Sequence, residues 1–158
     1  MPARLPPFER VIEEHGPALL RFCVAEAGPA RADDCFQESL LAALRAYPRL
    51  RDPGAVRGWL FSIAARKAID LHRAEARAPR RRADDPEAGD VGCEAPERDP
   101  ALWARVRALP PKQHQAVTLR YVADLSHADI AQAMGTSEAA ARRNVFEGLA
   151  RLRKALRG

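Results

Sequence analysis

The sequence predicts an all-α protein: two small helical domains joined by a flexible linker. Three observations predict it. Apolar residues make up 47 % of the 158-residue chain, enough for packed cores and too many for a disordered one. Ala, Leu, Arg and Glu dominate, and all four favour helix. Apolar positions recur at three- and four-residue spacing, with little of the alternation that marks a strand. The linker is residues 79–100, PRRRADDPEAGDVGCEAPERDP. It is rich in Pro, Gly and charge, and cannot bury enough surface to offset the entropy of its ordering. The domains are then 1–78 and 101–158.

In the first domain a helix is expected from Phe8 to Ala27, with Val11, Ile12, Leu19, Leu20, Phe22 and Cys23 on its apolar side. Gly16-Pro17 is expected to break or kink it, and Gly28-Pro29 to end it. Asp33 and Asp34 start a second helix, where the helix dipole favours acids. Its apolar face is Phe36, Leu40, Leu41 and Leu44, and Tyr47-Pro48 closes it. After a loop turned by Pro53-Gly54, a third helix runs from about Val56 to about Ala76. Trp59, Leu60, Ile63, Ala64, Ala68 and Leu71 point inward; Arg57, Arg66, Lys67, Arg73 and Arg77 point mostly outward.

In the second domain a short helix runs from Asp99 or Pro100 to Leu109. Pro110-Pro111 begins the next, Pro being tolerated in a first turn. Ser126 caps a third, with Asp129 three residues on as in a capping box, and Gly135 stands just past its end. Ser137 caps the last helix, whose inward stripe is Ala141, Val145, Gly148 or Leu149, Leu152 and Leu156.

The formal net charge is +5, and it is uneven: +2 over residues 1–78, −3 over 79–100 and +6 over 101–158. A small basic domain is the electrostatic footprint of a nucleic-acid binder. No apolar run is long enough to span a membrane, and the first residues lack the apolar core of a signal peptide. A cytoplasmic protein without membrane insertion is expected. Cys23, Cys35 and Cys93 form no CxxC pair, which argues against a disulfide framework or a zinc site. His15, His72, His114 and His127 make no metal spacing with Cys, Asp or Glu. There is no Gly-rich phosphate loop and no nucleophile–base set, so no enzyme, cofactor, catalytic residue or metal is expected.

LSHADIAQAMGTSEAAARRNVFEGLARLRK, residues 125–154, has the parts of a helix-turn-helix: a short helix, a turn containing Gly135, and a longer helix that opens on small residues. Ala131 allows the second helix to cross closely. Thr136 and Ser137 place hydroxyls and backbone N–H groups where phosphate binds. Arg142 and Arg143 lie one turn in, where a recognition helix meets base edges. Phe146 shares their face and suits sugar or a thymine methyl group.

LPPKQHQAVTLRYVADLSHADIAQAMGTSEAAARRNVFEGLARLRKAL resembles region four of the extracytoplasmic-function (ECF) sigma factors of RNA polymerase. The first domain resembles region two independently. Asp33-Asp34-Cys35-Phe36-Gln37-Glu38 is similar to that family's acidic helix, and Gly58-Trp59-Leu60-Phe61-Ser62-Ile63-Ala64-Ala65-Arg66 to its "TWLYRIAR" helix. The resemblance runs from about Phe8 to Leu156. It implies a protein that binds core RNA polymerase and promoter DNA to start transcription, and has no chemistry of its own.

The resemblance also implies roles. Asp33, Asp34, Gln37 and Glu38 would dock on the β′ clamp helices of core polymerase, and region four on the β flap. The third helix and the loop before it would open and hold the minus-ten element by trapping an unstacked base. Arg51 and Asp52 would be the polar contacts of that loop, from Leu50 to Val56. Arg57, Arg66, Lys67, Arg73 and Arg77 would track phosphates, while Trp59, in the apolar stripe, belongs to the core. Arg142, Arg143 and Phe146 would face the minus-thirty-five element. The chain departs from the pattern at Glu147, an acid where an Arg often contacts DNA, able to accept from cytosine or to repel phosphate. Asn144 and Leu149 also replace arginines, and Lys67 stands where Asn is common. An anti-sigma factor, often a membrane protein, partners many members. Two other classes share some of these features: a helix-turn-helix regulator that binds an operator without polymerase, and an adaptor whose DNA reading is lost. The acidic docking helix argues against the regulator; Glu147 and Asn144 are what the adaptor rests on.

Overall fold

A computed structural model describes residues 4–77 and 99–157, the side chain of Glu75 excepted. Most of the expected linker, including Cys93, lies outside the described residues. Every described regular element is helical: α1 Phe8–Ala27, α2 Ala32–Ala46, α3 Val56–Arg77, α4 Pro100–Arg107, α5 Pro111–Tyr121, α6 His127–Met134 and α7 Glu138–Arg157. Two short 3-10 turns, Tyr47–Arg49 and Pro53–Ala55, join α2 to α3.

The helix ends follow from local chemistry. Asp33 and Asp34 stand in the first turn of α2. Asp99 accepts from the Leu102 N–H at the start of α4, and Ser126 from the Asp129 N–H at the start of α6. Gly135 ends α6 with φ 65°, ψ 39°, and the Thr136 N–H returns to the Ala131 carbonyl at 3.0 Å, as in a glycine-terminated helix. The expected break at Gly16-Pro17 does not occur. α1 is unbroken with Pro17 inside it, because Pro17 faces solvent while Leu19, Phe22 and Cys23 beyond it are buried. That burial outweighs the one backbone bond the proline removes.

α1, α2 and α3 pack together, and α5, α6 and α7 likewise, with α4 laid on α7. The two groups also pack on each other, α6 along α3 and α5 against α1. One apolar core runs through both: Leu19 and Phe22 of α1, Leu60 and Phe61 of α3, Leu119 of α5, Ile130 of α6 and Val145 of α7. The Phe22 and Phe61 rings meet edge to face at 5.6 Å. Each large side chain there contributes about 1.5–3 kcal/mol by leaving water.

Two stripes differ from expectation. Leu41 and Leu44 are each 52 % exposed rather than core, since Ala32, Cys35, Ser39 and Ala43 supply the buried edge of α2. Leu156 is also exposed, because the core contacts of α7 end at Leu152. Among the described residues no helix is long and apolar enough to cross a membrane, and no three His, Cys, Asp or Glu side chains are grouped to hold a metal ion.

Candidate nucleic-acid interface

The expected site residues fall on three surfaces. The first is the outer face of α7. Ser137 caps that helix by accepting from the Ala140 N–H at 3.1 Å. Ala131 and Ala141 are both buried where α6 meets α7, so the two axes approach closely and α7 turns its other side outward. Arg142, Arg143 and Phe146 are exposed there, Phe146 by 71 %. Thr136 is half-buried at the turn. The Arg142 guanidinium donates to Glu138 one turn back at 2.7 Å, a solvent-exposed pair of small energetic weight that holds the side chain along the helix.

The departures from the family pattern sort by position. Glu147 is exposed and accepts from the Gln113 amide of α5 at 3.3 Å, so it leans away from Arg142. Asn144 and Leu149 are half-buried, and Leu149 packs on the main core. Leu149 therefore replaces an arginine on the inner side of the helix.

The second surface is α3 with the loop before it. Asp52 accepts from the Gly54 N–H at 2.9 Å, which fixes the turn and leaves Arg51 and Asp52 exposed. An aromatic cluster anchors that loop: Tyr47 lies 5.2 Å from Phe8 and 6.0 Å from Trp59 between ring centres, and its hydroxyl donates to the Pro6 carbonyl. Trp59 is half-buried in this packing and belongs to the core. Arg66, Arg73 and Arg77 are exposed, and their seven- and four-residue steps put them on one helix face. Lys67 is half-buried beside them. Arg57 is not on that face. It is half-buried, and its guanidinium donates to the Ala123 carbonyl at the end of α5, a partner that no one-domain view of α3 could foresee.

The third surface is α2. Asp33, Asp34, Gln37 and Glu38 are all exposed, at the spacing of one helical face. Leu41 and Leu44 extend that face at the next turns, so the acidic stripe leads into an apolar one. These two leucines belong to the surface, and their i+4 and i+7 offsets from Gln37 were the available signal.

The chain matches the family models "Sigma-70 region 2" over residues 11–78 and "Sigma-70, region 4" over residues 100–152. It is 35 % identical over 156 residues to the ECF RNA polymerase sigma factor SigD of Mycobacterium tuberculosis, covering 90 % of this chain and 74 % of that protein. It is 33 % identical over 154 residues to the ECF RNA polymerase sigma factor ShbA of Streptomyces griseus, covering 87 % and 81 %. Among solved structures, it is similar to the sigma factor RpoE of Bartonella quintana in complex with the anti-sigma factor NepR, with TM-score 0.75, 18 % identity, and 95 % and 96 % of the two chains covered. It is also similar to CnrH in complex with the cytosolic domain of CnrY, with TM-score 0.70, 23 % identity, and 94 % and 86 % covered. Those two likenesses show the shared all-helical fold. With both regions matched in order and relatives aligned along most of the chain, this protein belongs to the extracytoplasmic-function sigma factors of RNA polymerase.

Proposed function

We propose that this sigma factor divides its work among the three surfaces. The α2 stripe of Asp33, Asp34, Gln37 and Glu38 docks on the β′ clamp helices of core polymerase. The loop from Leu50 to Val56, with Arg51 and Asp52, holds the opened minus-ten strand, and Arg66, Lys67, Arg73 and Arg77 follow its phosphates. The α7 face of Arg142, Arg143 and Phe146, with Thr136 and Ser137 at its start, reads the minus-thirty-five duplex, and Glu147 tunes that reading. Residues 1–78 and 101–158 act as separate domains in the initiation complex, joined through 79–100, and the second also meets the β flap.

The observation that carries this reading is that Asp33, Asp34, Gln37 and Glu38 on α2, Arg66, Arg73 and Arg77 on α3, and Arg142 and Arg143 on α7 stand exposed while intervening positions fill the core. Carboxylates suit an Arg-rich coiled coil, and arginines suit phosphate and guanine edges. The protein would carry out no reaction itself, polymerase making the bonds, and would work in the cytoplasm. An anti-sigma factor is a further partner of this reading; the similarly folded RpoE was solved in complex with the anti-sigma factor NepR.

Run-off transcription over a fragmented genomic library, with core polymerase and with or without this protein, tests the reading. New discrete start sites are expected. No new transcript and no binding to polymerase would overturn it in favour of an operator-binding regulator.

A further inference from the structure

The loop from Leu50 to Val56 is closed at its base by one side chain. Tyr47 opens the 3-10 turn before the loop, and its carbonyl accepts from the Leu50 N–H at 3.0 Å. Its ring lies 6.0 Å from that of Trp59, in the first turn of α3 just past the loop's other end. Both ends of the loop therefore meet on Tyr47. Between them Asp52 bonds within its own turn: its carbonyl accepts from the Ala55 N–H at 3.0 Å and its carboxylate from the Gly54 N–H at 2.9 Å. A turn bonded to itself keeps its shape, but its place is set by where its ends are held.

On its far side Tyr47 meets the segment that leads into α1. Its ring lies 5.2 Å from that of Phe8, and its hydroxyl donates to the Pro6 carbonyl, 41 residues away in the sequence. That carbonyl is free to accept for a physical reason. Proline fixes φ at both Pro6 and Pro7, and Pro7 stands at φ −56°, ψ 144°. This is polyproline geometry, which makes no internal hydrogen bonds and leaves carbonyls to outside donors. The Pro7 carbonyl accepts from the Arg10 and Val11 N–H groups of α1; the Pro6 carbonyl accepts from Tyr47. Two adjacent prolines also have little freedom to lose when the segment is ordered. Leu5 and Phe8 pack on the main core on either side, so the acceptor is fixed between two anchors.

We propose that residues 4–7 are a strap for the promoter-strand loop and that Tyr47 is a positioning residue for base selection in the minus-ten element. The strap holds Tyr47 through its hydroxyl, and Tyr47 holds Leu50 and Trp59 at the spacing that shapes the loop between them. Tyr47 touches no base in this account; it acts through the loop, where Arg51 stands exposed. A pocket selects a base only as sharply as its walls are placed, so a loose base of the loop costs discrimination before it costs folding. The selection rests on the assignment of Leu50–Val56 to the opened strand; the strap does not.

Two measurements on the full chain test this. In hydrogen exchange, the Leu50 amide should exchange about fivefold faster in Tyr47→Phe than in the wild type, the worth of one hydrogen bond, with the amides of α7 unchanged. Deletion of residues 2–6 should do the same, and the two changes together should add nothing further, since both remove one bond. In run-off transcription with core polymerase, promoters that differ at a single minus-ten base give a ratio of best to worst rate. Tyr47→Phe, which keeps the ring, should lower that ratio by about fivefold, and the deletion likewise. A chain that is merely less stable lowers every rate together and leaves the ratio alone. Leu50 exchange unchanged in both variants would overturn the strap. Faster exchange with an unchanged ratio, where Arg51→Ala does lower the ratio, would overturn the positioning role and leave the loop's assignment standing. A ratio unmoved by Arg51→Ala as well would strike that assignment, and the selection with it.

Discussion

Gly148 lies so close to Val117 that a Cβ on it would stand 2.6 Å from Val117 Cγ2, and 3.4 Å from the Gln113 Cβ and carbonyl oxygen. α7 can therefore cross α5 only where residue 148 is bare. This contact sets how far the outer face of α7 projects, and with it the position of Arg142, Arg143 and Phe146.

Gly148→Ala should destabilise the protein, although alanine is the better helix former by about 1 kcal/mol. Val117 is buried, and overpacking a filled interface costs about 1–3 kcal/mol. A net loss of about 1 kcal/mol or more is expected in thermal unfolding. Val117→Ala removes the opposing methyls, so the double variant should lose less than the two single losses added together. A higher Tm for Gly148→Ala would refute the contact.

Asp34→Ala with Glu38→Ala should weaken co-elution with core polymerase and leave duplex binding by the isolated chain unchanged. Leu41→Ala with Leu44→Ala should weaken the same co-elution. Both leucines are half in solvent, so their removal should cost under about 1 kcal/mol of stability. Full retention of polymerase by both double variants would remove α2 as the docking face.

Much of this was legible in the residues. Helix ends were, because Ser126, Ser137 and Gly135 act on atoms within a few positions of themselves. The outward placing of Arg142, Arg143 and Phe146 on α7 was, because periodicity separates exposed from buried positions. What was not legible depends on a second helix group. Arg57 reads as one more outward arginine until Ala123 is placed beside it. Glu26 carries no signal of its own in the sequence, and only the packing of α5 shows it to be buried. Leu41 and Leu44 read as core because leucine usually is, and only the packing of Ser39 and Ala43 shows the inner edge of α2 to be elsewhere.

Arg142→Ala with Arg143→Ala should reduce affinity for a promoter duplex and flatten its salt dependence. If both side chains meet phosphate, the slope of log affinity against log salt should fall by about two. If one is bidentate to guanine, about 1–3 kcal/mol of discrimination at that base should go with it. Fluorescence anisotropy across a salt series, on matched and single-base-changed duplexes, separates the two contributions. Unchanged affinity and slope would take both arginines off the reading face.

The thermal stability of the chain should fall as pH rises from 6.5 towards 8. Burial holds His15 below the ordinary imidazole value of 6.5, against the raising effect of Glu14, with Arg57 adding to the lowering. Burial lowers His114 likewise. Below 6.5 the unfolded chain binds protons that these two rings refuse when folded, so stability is lost as pH falls. Glu26 has the opposite sign. Its carboxyl is raised from 4.5 to about 8, so its contribution is fully present below 4.5 and is lost as pH rises through about 8. Between the two, from 6.5 to about 8, Glu26 alone acts among these three, with a slope approaching about 1.4 kcal/mol per pH unit. Under 6.5 the two imidazoles oppose the carboxyl. Melting curves across this range should show the descent in the wild type, and Glu26→Gln should lose it. A wild-type Tm that stays level from 6.5 to 8 would mean that Glu26 is ionised where it lies, and that the acid facing His114 is a charge.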